Sequence, residues 1–346
     1  MDKINLIRIF EYKLLNKMKP IKLLITILGI TFCLLGAGCS KPEPGVWKND
    51  EIAVKKRESF HDMNTELFDG LKKNKPGMIE KLMSKELLQN TGLRRTIELC
   101  SVRMRSGKNT MLDEYYVVHD LKREQKIKSP DHGVNSYYLD YQPLAREMYT
   151  AMYTLQDGPE TWLLTTVYNK LDYGWRLTDL DLNVYTVNGK TAVELYGQAR
   201  QKYDKGYLID ALSIIDLARG ASVPNVMWHY NQQPKIDGFY SRLMKKIDET
   251  YPFPLVIKQL PTQPKIFRVF NQNRPEGSCP MIYYISKFNV KDSAAVKKEH
   301  EDVKKVIGQV IPGINQERKY VYYTVFNGMP NWKSKKIPHL EIRDVL

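Results

Sequence analysis

The sequence predicts an α+β chain, and three observations predict it. Between Glu147 and Val187, three long alternating runs are divided by two hairpin turns. Segments with an apolar period near 3.6 stand before and after that block, and strand-like runs return from Lys265 to Val345 around one helix. A period of two sends successive side chains to opposite faces of a strand, whereas 3.6 gathers them into one helical stripe.

Met18 to Cys39 comes first in the chain. Lys19 and Lys22 precede an apolar run, Leu23–Leu35, and Gly36-Ala37-Gly38 precede Cys39. A charged start, an apolar core and small residues form the layout of a secretory signal. The run is shorter than the ~20 apolar residues that span a bilayer. Ala37-Gly38-Cys39 resembles the lipobox of bacterial lipoproteins, although Leu35 stands one place further from the cysteine than in that pattern. The resemblance implies a diacylated Cys39 thiol, cleavage before it, loss of residues 1–38, and a body held on a membrane outside the cytoplasm. Residues 1–17 add Phe10, Leu14 and Leu15 to a signal already complete from Met18, which makes Met18 a candidate start. Ser40 stands where Asp would imply inner-membrane retention by resemblance to Gram-negative lipoproteins. Residues 39–45 read as a polar, Pro-rich tether.

The formal charge is +14, and residues 1–38 hold six Lys or Arg and two acids, which leaves +10 beyond them. That excess is spread over runs such as Lys55-Lys56-Arg57, Lys122-Arg123, Lys245-Lys246 and Lys304-Lys305. Pairs beside acids are solvated helix faces. Their functional alternative is attraction to anionic lipid headgroups or acidic glycans. Export argues against nucleic acid as a partner. Cys33 leaves with the signal and Cys39 carries lipid, so Cys100 and Cys279 remain, expected as two buried free thiols. No CxxC or Cys/His cluster at zinc spacing is present, and neither metal nor cofactor is expected.

Residues 46–189 read as one α+β domain. Asn49 to about Lys73 forms an apolar helical stripe through Phe60, Met63, Leu67, Phe68 and Leu71. Met78–Leu88 reads as a second helix, and a further segment runs to Arg105. Tyr115–Val118 and Ser136–Tyr141 are β-rich, and Glu147–Leu155, Thr161–Leu171 and Trp175–Val187 are strands joined by Asp157-Gly158-Pro159 and Asp172-Tyr173-Gly174. In the last strand Trp175 and Leu177 are odd whereas Leu180, Leu182 and Val184 are even, which predicts a bulge near Thr178–Asp179. Helices followed by a long antiparallel meander ending Gly174-Trp175-Arg176-Leu177 resemble the NTF2-like, or cystatin-like, α+β cone over about 140 residues. That resemblance implies a curved sheet and helices around a pocket, used for acid/base chemistry in some members and only for binding or dimerisation in others.

The polar groups for such a pocket are Tyr149, Tyr153 and Tyr168, with His119, Asp120, Asp179 and Asp181. The tyrosines also suit an amphipathic core, and His119-Asp120 suits a turn. Asp179 and Asp181 point away from Leu180 and Leu182, with water the expected partner.

Residues 190–251 read as a helical segment. Thr191 caps a helix to about Lys205, Gly206 breaks it, and a second helix runs from Tyr207 to about Arg219. Ala199, Gly206, Ala211, Ile215 and Ala218, with Pro224 following, resemble one tetratricopeptide hairpin, without a second copy. Pro224–Pro234 reads as a docked linker and Ile236–Thr250 as a helix. Residues 252–346 read as a small α+β domain with strands Lys265–Phe270, Met281–Phe288, Lys319–Phe326 and His339–Val345. Its helix, capped by Asp292 or Ser293, carries Val296, His300, Val303, Ile307 and Val310 on one face. His300 is expected as a buried core imidazole, and Trp332 beside Lys333, Lys335 and Lys336 as a hairpin tip.

The expected function is a membrane-anchored lipoprotein with a non-catalytic binding or scaffolding role, partnered by the bilayer and by an envelope protein. The alternatives are an isomerase- or hydrolase-type enzyme using the cone, with His119 or Asp179 as base, and a helical adaptor.

Overall fold

The computed structural model describes residues 42–120, 124–129, 132–274, 277–316, 318–331, 333 and 337–346. The segment expected to be a secretory signal, with Met18, Cys33 and Cys39, lies outside the described residues, as do Lys122, Arg123, Trp332, Lys335 and Lys336. No helix of the described residues is long and apolar enough to cross a membrane.

The fold is α+β. β1 (Gly45–Lys48) runs into a 3-10 turn at Asn49–Glu51, with Asn49 in the left-handed region at φ 48°. That turn delays α1 (Val54–Lys72) by five residues relative to the apolar pattern, and α1 buries Phe60, Asn64, Leu67, Phe68 and Leu71. The single helix expected over Met78–Leu88 is two, α2 (Pro76–Glu80) and α3 (Lys85–Leu88). Between them the backbone pairs with a strand instead: Leu177 N donates to Leu82 O and Ser84 N to Leu177 O, each at 2.8 Å. Ser84 then caps α3 by accepting from Leu87 N at 3.1 Å. α4 (Leu93–Ser106) realises the third helical segment.

β2 (Asn109–Val118), β5 (Glu147–Asp157), β6 (Glu160–Leu171), β7 (Gly174–Val187) and β8 (Lys190–Thr191) complete a six-stranded sheet in the order β1-β2-β5-β6-β7-β8. It is antiparallel from β2 to β8 and curves into a half-barrel. The expected bulge is present: Tyr168 pairs with Leu177 and Val167 with Asp179, which leaves Thr178 over. Two further bulges, at Leu112 and Tyr185, add to the bend. Asn188 and Gly189, at φ 51° and 70°, make a two-residue turn into β8. β3 (Gln125–Lys128), β4 (Tyr137–Tyr141) and β9 (Trp228–Tyr230) form a separate three-stranded sheet.

Both faces of the six-stranded sheet are covered. Seven successive residues, Leu163 to Asn169, are all buried, which a sheet with one wet face does not allow. Tyr149, Ala151, Tyr153, Leu155, Leu164 and Leu182 meet α1 and α4 on one side. Met148, Met152, Leu163 and Val167 belong to a second cluster on the other.

That second cluster continues through α5 (Ala192–Asp204), α6 (Leu208–Gly220) and α7 (Gln233–Thr250). Thr191 caps α5 in a capping box with Glu194. Fully buried Ala199, Ala211 and Ala218 keep the side chains between α5 and α6 small. It also takes in the last module, in which β10 (Leu255–Val256), β11 (Lys265–Arg274), β12 (Gly277–Ile285), β13 (Tyr320–Phe326) and β14 (Leu340–Val345) make five strands rather than four. β12 and β13 are parallel, joined across α8 (Ser293–Val310), which Asp292 caps by accepting from Ala295 N at 3.0 Å. Asp210 of α6, buried, pairs with Arg318, and Tyr207 donates to Gln316 Oε1 at 2.9 Å. Gly313 sits at φ 87° with the Tyr207 ring so near that a Cβ would lie 2.5 Å from it. Only glycine fits that joint.

Candidate functional site

The candidate tyrosines of the six-stranded sheet sit in its packed core. Tyr149 and Tyr168 are fully buried and Tyr153 nearly so. Phe60 of α1 stacks on Tyr149 with ring centroids 4.0 Å apart, and Phe68 meets Tyr153 edge-on at 4.7 Å. Burial raises the hydroxyl pKa of all three. Tyr149 donates to Glu114 Oε2 at 2.7 Å, and the Tyr168 hydroxyl lies 3.5 Å from Met63 O.

His119 is buried beyond β2, with Nδ1 2.8 Å from Ala145 O and Nε2 3.0 Å from the Tyr141 hydroxyl. A carbonyl only accepts, so Nδ1 carries the proton and Nε2 accepts from Tyr141. Burial holds its pKa below the usual imidazole value. Both ring nitrogens are engaged, one with the end of β4 and one with the loop that follows it. Asp120 is exposed at the following bend.

Asp179 and Asp181 lie on the face of β7 opposite Leu180 and Leu182, as expected, but water is not the partner of Asp181. The linker before β9 covers it: Asn225 Nδ2 donates to Asp181 Oδ2 at 3.1 Å, and Asn183 Nδ2 reaches both carboxylate oxygens at 3.0 Å. Asn225 accepts in turn from Met227 N at 2.8 Å, and Trp228 beyond it is buried against Tyr137, centroids 3.4 Å apart. Alternation along β7 reveals which face a residue takes but not what covers that face. Burial, and next to it the Asp181 charge, push Asp179 up to about 6, and burial raises Asp181 as well.

Sequence reasoning passed over the acids that are tied most tightly. Glu114 of β2, buried, accepts from Tyr149 and from His61 Nε2, the latter at 2.9 Å. The His61 side chain is 43% exposed, so Glu114 orients a half-exposed imidazole through Nε2. Asp113, next in the chain, accepts from Tyr137 at 2.6 Å and from Asn49 Nδ2 at 3.0 Å, and Tyr115 donates to Tyr137 at 2.8 Å. Glu147, also buried, accepts from Tyr116 at 2.5 Å and Lys170 at 2.7 Å. Burial opposes its ionisation, but the donors outweigh burial and its pKa falls. The signal that could have found Glu114 and Asp113 is a pair of acids interrupting an otherwise apolar strand pattern.

In the last module His300 is buried, with Nε2 3.1 Å from both oxygens of Asp344 and the Tyr323 ring edge-on at 4.4 Å. Cys100 and Cys279 are both buried and are not joined in a disulfide, and burial pushes Cys100 up to about 12. Among the described residues, no group of three or more His, Cys, Asp or Glu side chains is placed to hold a metal.

An open concavity of about 560 Å³ lies instead between α5 and α7. Tyr196, Tyr203 and Phe239 form its floor, and Arg200, Lys235 and Arg242 stand around it. A second, of about 590 Å³, shares Tyr203 and Asp204 and continues past Lys246 to Tyr251 and Pro312. Compared with protein-family models, curated proteins and solved structures, the chain matches none.

Proposed function

We propose that the chain is a membrane-anchored, extracytoplasmic lipoprotein with a non-catalytic binding or scaffolding role in the cell envelope. Acylated Cys39 would hold it to the bilayer, and an NTF2-like cone would serve as scaffold rather than as reaction chamber. One observation carries this reading: the polar groups inside the cone are spent on one another. Tyr149 is engaged with Glu114, and the face that a substrate would enter is filled by Phe60, Phe68 and their neighbours. His119, the candidate base, has both nitrogens bonded, one to Ala145 O and one to the Tyr141 hydroxyl. A general base needs a free lone pair within reach of a substrate proton. Crosslinking the tagged, lipidated protein in intact cells, followed by mass spectrometry, tests the role. A dominant envelope partner, lost on altering one surface, is the expected result. Turnover of small molecules by the purified protein would overturn it.

The His61–Glu114 pair favours a second reading, an enzyme at the cone rim. A buried carboxylate that orients a half-exposed imidazole is the arrangement a general base uses. Under this reading His61→Ala abolishes a turnover that His119→Ala only weakens through loss of folding.

A further inference from the structure

The concavity between α5 and α7 gathers three basic side chains around one hollow. Some cations on the surface are tied to acids: Lys73 to Asp69, Arg94 to Glu98, Lys305 to Asp302 and Lys170 to Glu147. The side chains of Arg200, Lys235 and Arg242 have no hydrogen-bond or ion-pair partner among the described residues. They nevertheless converge on one hollow of about 560 Å³, within the range of small-molecule sites. Asp204 is the acid on the lining, which leaves a local excess of two positive charges. Pro234 and Lys235 belong to the first turn of α7, an 18-residue helix whose N-terminal dipole has the same sign.

The floor is aromatic. Phe239 takes Tyr196 and Tyr203 edge-on, each with centroids 5.6 Å apart. These rings are held by packing, so the surface they offer is preformed. Three mutually repelling cations gathered over fixed rings, with Asp204 as the one acid of the lining, are an arrangement that a ligand completes.

The geometry points to a binding site for a small anionic molecule, with a phosphate-type group held by Arg200, Arg242 and Lys235 and a flat body laid on the partly exposed Tyr203 ring. Two guanidinium forks match the oxygens of a phosphate, and Lys235 supplies a point charge. The assignment rests on the binding role proposed above and names the chemistry of its ligand.

Phenyl phosphate carries both features, inorganic phosphate lacks the ring, and phenol lacks the charge. Calorimetric titration of the full chain in neutral detergent is expected to rank phenyl phosphate tightest. In the Arg200→Ala/Arg242→Ala double variant its affinity falls about tenfold or more, as loss of charged hydrogen bonds requires. Both arginines are exposed, so the melting temperature stays unchanged, and a Lys81→Ala control on another surface leaves affinity intact. Equal binding by the double variant overturns the site. So does binding to phosphatidylglycerol vesicles without phenyl phosphate binding, which would make the face a lipid contact. If no probe binds while crosslinking in cells still recovers an envelope partner, the anion assignment falls and the binding role stands. If substrate turnover is found instead, the binding role itself falls.

Discussion

Two pairs of acids stand at opposite sides of the same sheet, and the chain treats them differently. Asp113 and Glu114 of β2 are adjacent, so the pleat sends them to opposite faces, and each meets its own donors. Asp179 and Asp181 of β7 are two apart, so they share a face at a Cα separation of roughly 6.6 Å. Asn183 and Asn225 serve Asp181, whereas Asp179 accepts only from the backbone N–H of Leu180 among the described residues. The buried Thr150 and Thr165 hydroxyls on that face have no partner. One pair is a finished part of the core. The other is held in place by what covers it, and the cover is the segment from Asn225 to Trp228.

The largest effect is expected from removing that cover. Trp228 is buried against Tyr137, Tyr185 and Tyr230 and is central to the cluster that reaches the last module. Trp228→Ala should cost about 3–5 kcal/mol in urea unfolding. Deleting residues 191–251 should then unfold the flanking parts as well, because α5 to α7 supply much of the core they share. A deletion that left both flanks with native circular dichroism and cooperative melting would break the comparison, and would return the helical-adaptor reading.

A smaller loss is expected on the side that is already satisfied. Glu114→Gln leaves Tyr149 and His61 without a shared anion, and should cost about 1–3 kcal/mol. Tyr149→Phe removes one end of the same hydrogen bond. The double variant should therefore be less unstable than the sum of the two, with a coupling of about 0.5–3 kcal/mol. Additive losses would show that Glu114 and Tyr149 do not act as a unit.

These contrasts explain which parts of the chain were legible. The bulge at Thr178 was readable because a change of apolar parity along a strand has only one remedy, an extra residue. Thr191 and Asp292 were readable as caps because their local chemistry suffices. Met78–Leu88 was misread as one helix because its interruption is a backbone pairing with Leu177, 94 residues from Met83. β1, β3, β8, β9 and β10 are two to four residues long and exist through their partners, with too few residues to show a period. The candidate tyrosines were found, but their role turned on whether α1 fills the cone, and that depends on how deep Phe60 and Phe68 lie. Glu114 and His61 are 53 residues apart, and nothing local announces that they meet. The basic hollow was likewise illegible, since Arg200 and Arg242 converge only once α5 and α7 pack together.

The smallest effect, and the most direct probe of the unfinished pair, is in the pH dependence of stability. Burial and the neighbouring Asp181 raise Asp179 to about 6, above its unfolded value of about 3.9. Between those values the folded state holds more protons than the unfolded chain. Stability therefore falls as pH rises from about 4 to about 6, and levels off above that. Asp179→Asn removes the charge that must otherwise be accommodated beside Asp181. The variant should match the parent near pH 4 and exceed it at pH 7 by about 1–2 kcal/mol, a figure reduced for the partial exposure of Asp179. Asn225→Ala should enlarge that difference, because Asp181 loses a donor and its charge bears more heavily on Asp179. Parallel stability curves for parent and Asp179→Asn, measured by urea unfolding at each pH, would mean that the covering segment lets water reach the pair, and the contrast between the two sides of the sheet would then be one of packing alone.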